Sequence, residues 1–108
     1  MPVIPREELF EILREVKERL REILGDDLVE VILFGSYARG EAREDSDVDV
    51  LVVVRRRVTL EEYDRLSEIT EKYVLEKGLV ISLIVYPISP GMEHDPLIQN
   101  VHVEGIKV

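Results

Sequence analysis

Two aspartates one residue apart, Asp47 and Asp49, stand at the mouth of an apolar run, Val48 to Val54. In a strand, residues i and i+2 share a face with Cα atoms roughly 6.5–7 Å apart. Both carboxylates can therefore converge on one hard divalent cation. Mg²⁺ takes one or two carboxylates and completes its shell with water and phosphate oxygens. Two like charges beside apolar residues are costly without a counter-charge, which such a cation supplies. The same residues also suit a plainer role, with Asp45, Ser46 and Asp47 as a polar turn and Asp49 at a solvated strand end.

Ten residues separate Asp47 from the pair Gly35-Ser36, which stands directly after a second apolar run, Leu28 to Phe34. A glycine there lets a phosphate approach the backbone closely. Ser36 is expected to cap a short helix, whose free amides attract anions, and its hydroxyl can bond a phosphate oxygen. An ordinary strand-to-helix turn with a serine cap would use the same two residues. Taken together, a phosphate cradle facing a carboxylate pair meets the basic requirement of phosphoryl or nucleotidyl transfer, where positioning and charge neutralisation dominate.

The pattern Gly35-Ser36, ten residues, then Asp47-Val48-Asp49 resembles the signature of the DNA polymerase β-like nucleotidyltransferases. The wider form, Gly35-Ser36-Tyr37-Ala38-Arg39-Gly40 with Ser46-Asp47-Val48-Asp49-Val50-Leu51, is similar to the minimal nucleotidyltransferases. These act as antitoxins in HEPN/MNT toxin–antitoxin pairs. The resemblance implies that Gly35 and Ser36 hold the β and γ phosphates of ATP or another nucleoside triphosphate. It implies Asp47 and Asp49 as catalytic Mg²⁺ ligands, with Arg39 near the phosphates or bracing the loop. Arg39 paired to a nearby carboxylate is an equally open reading. The resemblance further implies a small helical HEPN-type protein as partner and AMP transfer to one of its tyrosines. An antitoxin that neutralises its partner by binding alone is the alternative. One departure from the family bears on catalysis: members often carry a third carboxylate on the next core strand, whereas Leu79 to Tyr86 holds none and Ser82 takes its place. Serine is no general base at neutral pH. Glu93, His94 and Asp95, just past that strand, are the nearby substitutes.

The elements that must position these residues follow from periodicity. Leu9, Ile12, Leu13, Val16, Leu20, Ile23 and Leu24 form one helical stripe, predicting a helix over 6–24 that stops at Gly25. Leu28–Phe34, Val48–Val54 and Leu79–Tyr86 read as strands, the second covered on both faces because it is almost continuously apolar. Thr59 and Glu62 form a capping box for a helix ending at Gly78, with Leu66, Ile69, Tyr73 and Val74 on its inner face. Arg55-Arg56-Arg57 reads as a solvated charge run. Residues 97–108 read as a weakly specified tail with a short helical turn and an edge segment. Its apolar residues Leu97, Ile98, Val101, Val103 and Ile106 suggest either a partner surface or packing on the chain's own sheet. The expected fold is α/β (α+β), a nucleotidyltransferase fold with a small mixed sheet of three or four strands flanked by two main helices.

Composition narrows the functions available. The 108 residues, 45% hydrophobic, suit a single domain spanning 1–108. A net charge of −9 argues against direct nucleic-acid binding, which rests on neutralising phosphates. The absence of cysteine excludes disulfides, thiolate metal sites and cysteine nucleophiles. No apolar run approaches the roughly 20 residues of a membrane span. The acidic start, Arg6-Glu7-Glu8, lacks the apolar core of a signal peptide, so the expected location is cytoplasmic.

Overall fold

The computed structural model describes residues 3–108. Helix α1 (Arg6–Leu24) leads through a 3-10 turn (Gly25–Asp27) into strand β1 (Leu28–Phe34). A one-turn helix, α2 (Ser36–Arg39), precedes strand β2 (Val48–Val54). Helix α3 (Leu60–Lys77), strand β3 (Ile81–Pro87), a 3-10 turn (Met92–His94), helix α4 (Pro96–Glu104) and strand β4 (Ile106–Lys107) complete the order. The strands lie in the order β3-β2-β1-β4. β1 runs antiparallel to both β2 and β4, while β2 and β3 are parallel. The parallel pair needs a crossover, and α3 supplies it. The sheet is thus mixed and four-stranded, with α1 and α3 as its main helices, as the periodicity predicts. Among the described residues, no helix is long and apolar enough to cross a membrane.

The alternation of β2 explains why it is buried twice. Val48, Val50, Val52 and Val54 face α1 and α3, and meet Leu13, Val16, Leu20, Leu66, Ile69 and Tyr73 in one core. Leu51 and Val53 face the other way, into a second cluster with Phe34 and Val101. Val101 belongs to α4, and Leu97 and Ile98 pack around the same cluster. The C-terminal segment therefore covers its own sheet rather than offering an apolar partner surface. Only Val103 of the five singled-out residues points away, 86% exposed. The segment is also more regular than a tail: Asp95 caps α4 by accepting from the Leu97 N–H at 2.8 Å, and Pro96 opens the helix.

Two smaller differences have local causes. β3 begins at Ile81, two residues later than the apolar run, because Leu79 is still folding back under α3, its N–H donating to the Tyr73 carbonyl at 3.2 Å. Val74 is 45% exposed, outside the inner face of α3.

The entry to α3 is held by charge as well as by its cap. Glu62 accepts from the Thr59 N–H at 3.0 Å, and the Glu62 N–H donates to the Thr59 hydroxyl at 3.1 Å. Arg56 donates to both carboxylate oxygens of Glu62, at 2.8 and 2.9 Å, and to Asp27 at 2.7 Å. One member of the arginine run thus ties the end of β2 to α3 and to the turn before β1. Arg56 first, then the Thr59 amide, hold the Glu62 carboxyl down to about 2. A lowered carboxyl stabilises the fold above its ordinary value of 4.5 and loses that contribution as pH falls toward 2. Glu62→Gln is therefore expected to show a shallower loss of stability across that window than the parent chain. Urea midpoints measured through it check this; parallel curves for the two proteins would contradict the assignment.

Candidate functional site

The site forms where β1 ends and β2 begins. Antiparallel pairing sets Asp49 opposite Phe34, and the parallel pairing with β3 sets it beside Ser82. The chain leaves β1 at Gly35 and crosses directly above Asp49. A Cβ on Gly35 would overlap Asp49 Oδ2. Gly35 also holds φ 76° and ψ −158°, a region essentially closed to other residues. Glycine is needed here twice over, for the backbone angle and for the approach.

After Gly35 the backbone turns at once into α2. The Ala38 and Arg39 N–H groups both donate to the Gly35 carbonyl at 3.1 Å. Gly35 is the N-cap, so Ser36 opens the helix instead of capping it as expected. The first amides of a helix have no intrahelical partner, which leaves the backbone of Ser36 and Tyr37 as donors beside the carboxylates. Tyr37 is buried and anchors the turn in the main core. Downstream, the Ser46 hydroxyl accepts from the Arg43 N–H at 2.8 Å. That turn delivers Asp47 to the start of β2, and the Val48 N–H then donates to the Val80 carbonyl at 2.9 Å.

Asp47 is exposed and Asp49 half-buried. Burial first, and the neighbouring Asp47 second, push the Asp49 carboxyl above its ordinary value, while Arg39 draws it back. Such a like-charge pair is completed electrostatically by a cation. Among the described residues no group of three or more His, Cys, Asp or Glu side chains forms a ready-made metal cage. Two carboxylates fit a hard divalent ion whose remaining ligands come from water and a bound phosphate chain. The donor set suits Mg²⁺ in that manner.

Arg39 lies at the far end of α2 and pairs with two carboxylates, Glu41 at 3.1 Å and Glu104 at 2.8 Å. These partners, Glu104 foremost, raise its already high value. Glu104 is the residue that motif reasoning misses. It comes from the last turn of α4, about 65 residues downstream of Arg39, and its side chain is only 12% exposed. It also accepts from the Gly35 N–H at 3.3 Å and from Asn100 Nδ2 at 3.2 Å. A signal exists in retrospect: Glu104 continues the three- and four-residue spacing of Leu97, Ile98 and Val101, a carboxylate on the inward stripe of a helix.

Other sequence candidates lie elsewhere. Asp95 accepts from the Tyr86 hydroxyl at 2.8 Å as well as capping α4. Tyr86 pairs with Val53, four residues along the sheet from Asp49, a separation of roughly 13 Å. His94 is 83% exposed beside Glu93. The Glu93–His94–Asp95 loop is thus set apart from the aspartate pair.

Residues 13–108 match the family described as the nucleotidyltransferase domain. The chain belongs to that family. A candidate protein adenylyltransferase of Methanocaldococcus jannaschii is 47% identical over 79 residues, covering 73% of this chain and 80% of that protein. Protein adenylyltransferase MntA of Thermococcus cleftensis is 40% identical over 85 residues, covering 79% and 81%. A chain from the solved complex of a tri-AMPylated Shewanella oneidensis HEPN toxin with an MNT antitoxin superposes with a TM-score of 0.57. That match covers 89% of this chain and 67% of the other at 19% identity, a likeness of fold. This nucleotidyltransferase domain is accordingly an adenylyltransferase-like enzyme by family, and its aspartate pair falls inside the matched residues.

Proposed function

We propose that this chain is a Mg²⁺-dependent protein adenylyltransferase. It moves AMP from ATP to a tyrosine hydroxyl of a small helical HEPN-type partner in the cytoplasm, and so acts as the antitoxin of a pair. The observation that carries this reading is the placement of Gly35 over Asp49, which sets the start of α2 beside a carboxylate that has Asp47 as its neighbour. The names of the adenylyltransferase relatives support AMP as the transferred group, and the HEPN complex supports the partner class. A net charge of −9 disfavours an RNA acceptor.

In this reading Asp47 and Asp49 hold Mg²⁺, while Ser36, the first amides of α2 and Arg39 take the β and γ phosphates. Bound Mg²⁺ would neutralise charge on the triphosphate. The chain's own groups fix the triphosphate so that its α-phosphorus faces an incoming hydroxyl in line with the leaving pyrophosphate. A bond forms from the tyrosine oxygen to the α-phosphorus, the bond to the bridging oxygen breaks, and the hydroxyl proton is released. No carboxylate of β3 stands ready to take that proton, because Ser82 occupies the place beside Asp49. General-base help is typically worth 10²–10⁴-fold, so turnover is slow.

The same serine favours a second reading, in which the chain binds nucleotide and blocks its partner without transfer. Incubation of the chain and its HEPN-type partner with α-labelled ATP and Mg²⁺ separates the two. Label on the partner with a mass gain of one AMP is the expected result, and tight complex formation without label would leave only the binding reading. Ser82→Asp is expected to accelerate transfer by about a hundredfold, the low edge of general-base effects. An unchanged or lower rate in a folded Ser82→Asp chain would show that position 82 does not stand in for the missing base.

A further inference from the structure

We infer that Glu104 is a positioning residue of the nucleotide site, clamping both ends of the Gly35–Arg39 turn in the geometry that receives the phosphates. The inference rests on the proposed role of that turn. Its physical need is plain: α2 is a single turn, too short to be stable on its own backbone bonds. Glu104 supplies the missing constraint by accepting from Gly35 at the start of the turn and from Arg39 at its end. One side chain thus fixes the turn at two points.

The support behind Glu104 is itself built in. Asn100, one helical turn earlier, donates to the same carboxylate oxygen that accepts from Gly35. Gly105 follows, and a Cβ there would strike the Val101 carbonyl and Ile32 Cγ2. Only glycine lets the end of α4 sit this close to β1, and that closeness carries Glu104 to the turn. At 12% side-chain exposure, its pair with Arg39 is less screened than ordinary surface ion pairs.

Glu104 does not block the site by holding Arg39. A guanidinium has five donors. Arg39 commits Nε to Glu41 and one Nη1 proton to Glu104, and its side chain is 42% exposed. The remaining donors stay available to a phosphate oxygen while the arm is held in place. Arg39 then binds as a braced group and not as a free side chain that must be ordered on binding.

Glu104→Gln keeps the size and an acceptor for Gly35 but removes the charge facing Arg39. Mg²⁺–ATP dissociation constants from calorimetry should rise by roughly tenfold, the size of a 1.4 kcal/mol effect. Glu104→Asp, which keeps the charge, should recover part of the affinity. In an Arg39→Ala background the Glu104→Gln change should weaken ATP binding little further, since coupled residues are non-additive. Amide hydrogen exchange in the ligand-free chain gives a second readout: the Ala38 and Arg39 amides, at the end of the turn that loses its clamp, should exchange faster in Glu104→Gln, while the α1 amides stay protected. Wild-type affinity, or a tighter one, in Glu104→Gln would overturn the inference alone. A wild-type chain that binds no Mg²⁺–ATP would overturn the proposed function and this inference with it.

Discussion

Asp49→Asn is expected to make the ligand-free chain harder to unfold and, in the same molecule, to abolish its response to Mg²⁺–ATP. Asp49 is half-buried beside Asp47, and both burial and that neighbour disfavour its charge. A carboxyl whose folded value is raised works against the fold at neutral pH, where it is ionised. Asparagine keeps the shape and drops the charge, so the ligand-free melting temperature should rise. The ligand response moves the other way. Saturating the parent chain at about 100 times Kd should add about 2.7 kcal/mol of stability. The variant should gain almost none of this, because half of the proposed metal-binding pair is gone. AMP transfer should fall on the order of 10³-fold or more, since a positioned metal ion is worth several kcal/mol at such a centre. Thermal unfolding of both proteins, with and without Mg²⁺–ATP, reads both signs at once. Equal ligand-induced shifts would remove Asp49 from the site, and a lower ligand-free melting temperature would contradict the electrostatic account of it.

Gly35, Ser36, Asp47 and Asp49 lie within 15 consecutive residues, at the adjoining ends of two strands that pair directly. Their meeting depends on one short connection, and the strand period of two places Asp49 on the same face as Asp47. Strand pairing even makes the Ser82 substitution legible: a parallel neighbour of β2 must set some residue beside Asp49, and the apolar run centred there offers only Ser82. Glu104 is of another kind. Its position depends on α4 crossing the second face of the sheet, and that in turn depends on Val101, Leu97 and Ile98 choosing Phe34, Leu51 and Val53 as their partners. A chain with apolar residues on both faces of its central strand must cover the second face with something. The sequence pattern of 97–108 is too short to say whether that cover is internal or a partner. Local cues were present in Asp95-Pro96, a cap followed by a helix-opening proline. Long-range closure was not.

Gly35→Ala should be the most damaging single-methyl change at the site, and for two separable reasons. At φ 76° and ψ −158° the backbone occupies a region that costs a residue with a side chain of order 1–3 kcal/mol. The added methyl would also overlap Asp49 Oδ2, so the Asp49 carboxylate must swing away or the turn must lift. Either movement separates the carboxylate pair from the amides of α2. Gly25→Ala is the matched control. Gly25 also has a positive φ, of 57°, at the end of α1, but a Cβ there meets nothing within 4 Å. With ψ −133° Gly25 too lies in a region that costs a residue with a side chain on the order of 1–3 kcal/mol, so it should carry only that conformational cost. Urea unfolding should place both variants below the parent, with Gly35→Ala the less stable. Their Mg²⁺–ATP shifts should diverge far more, close to the parent's in Gly25→Ala and nearly lost in Gly35→Ala. Gly35 would then be tied to the nucleotide through Asp49, because backbone strain alone lowers both stabilities without separating the two ligand responses. A full ligand shift in a folded Gly35→Ala chain would mean that the close pass of the turn over Asp49 has no part in binding.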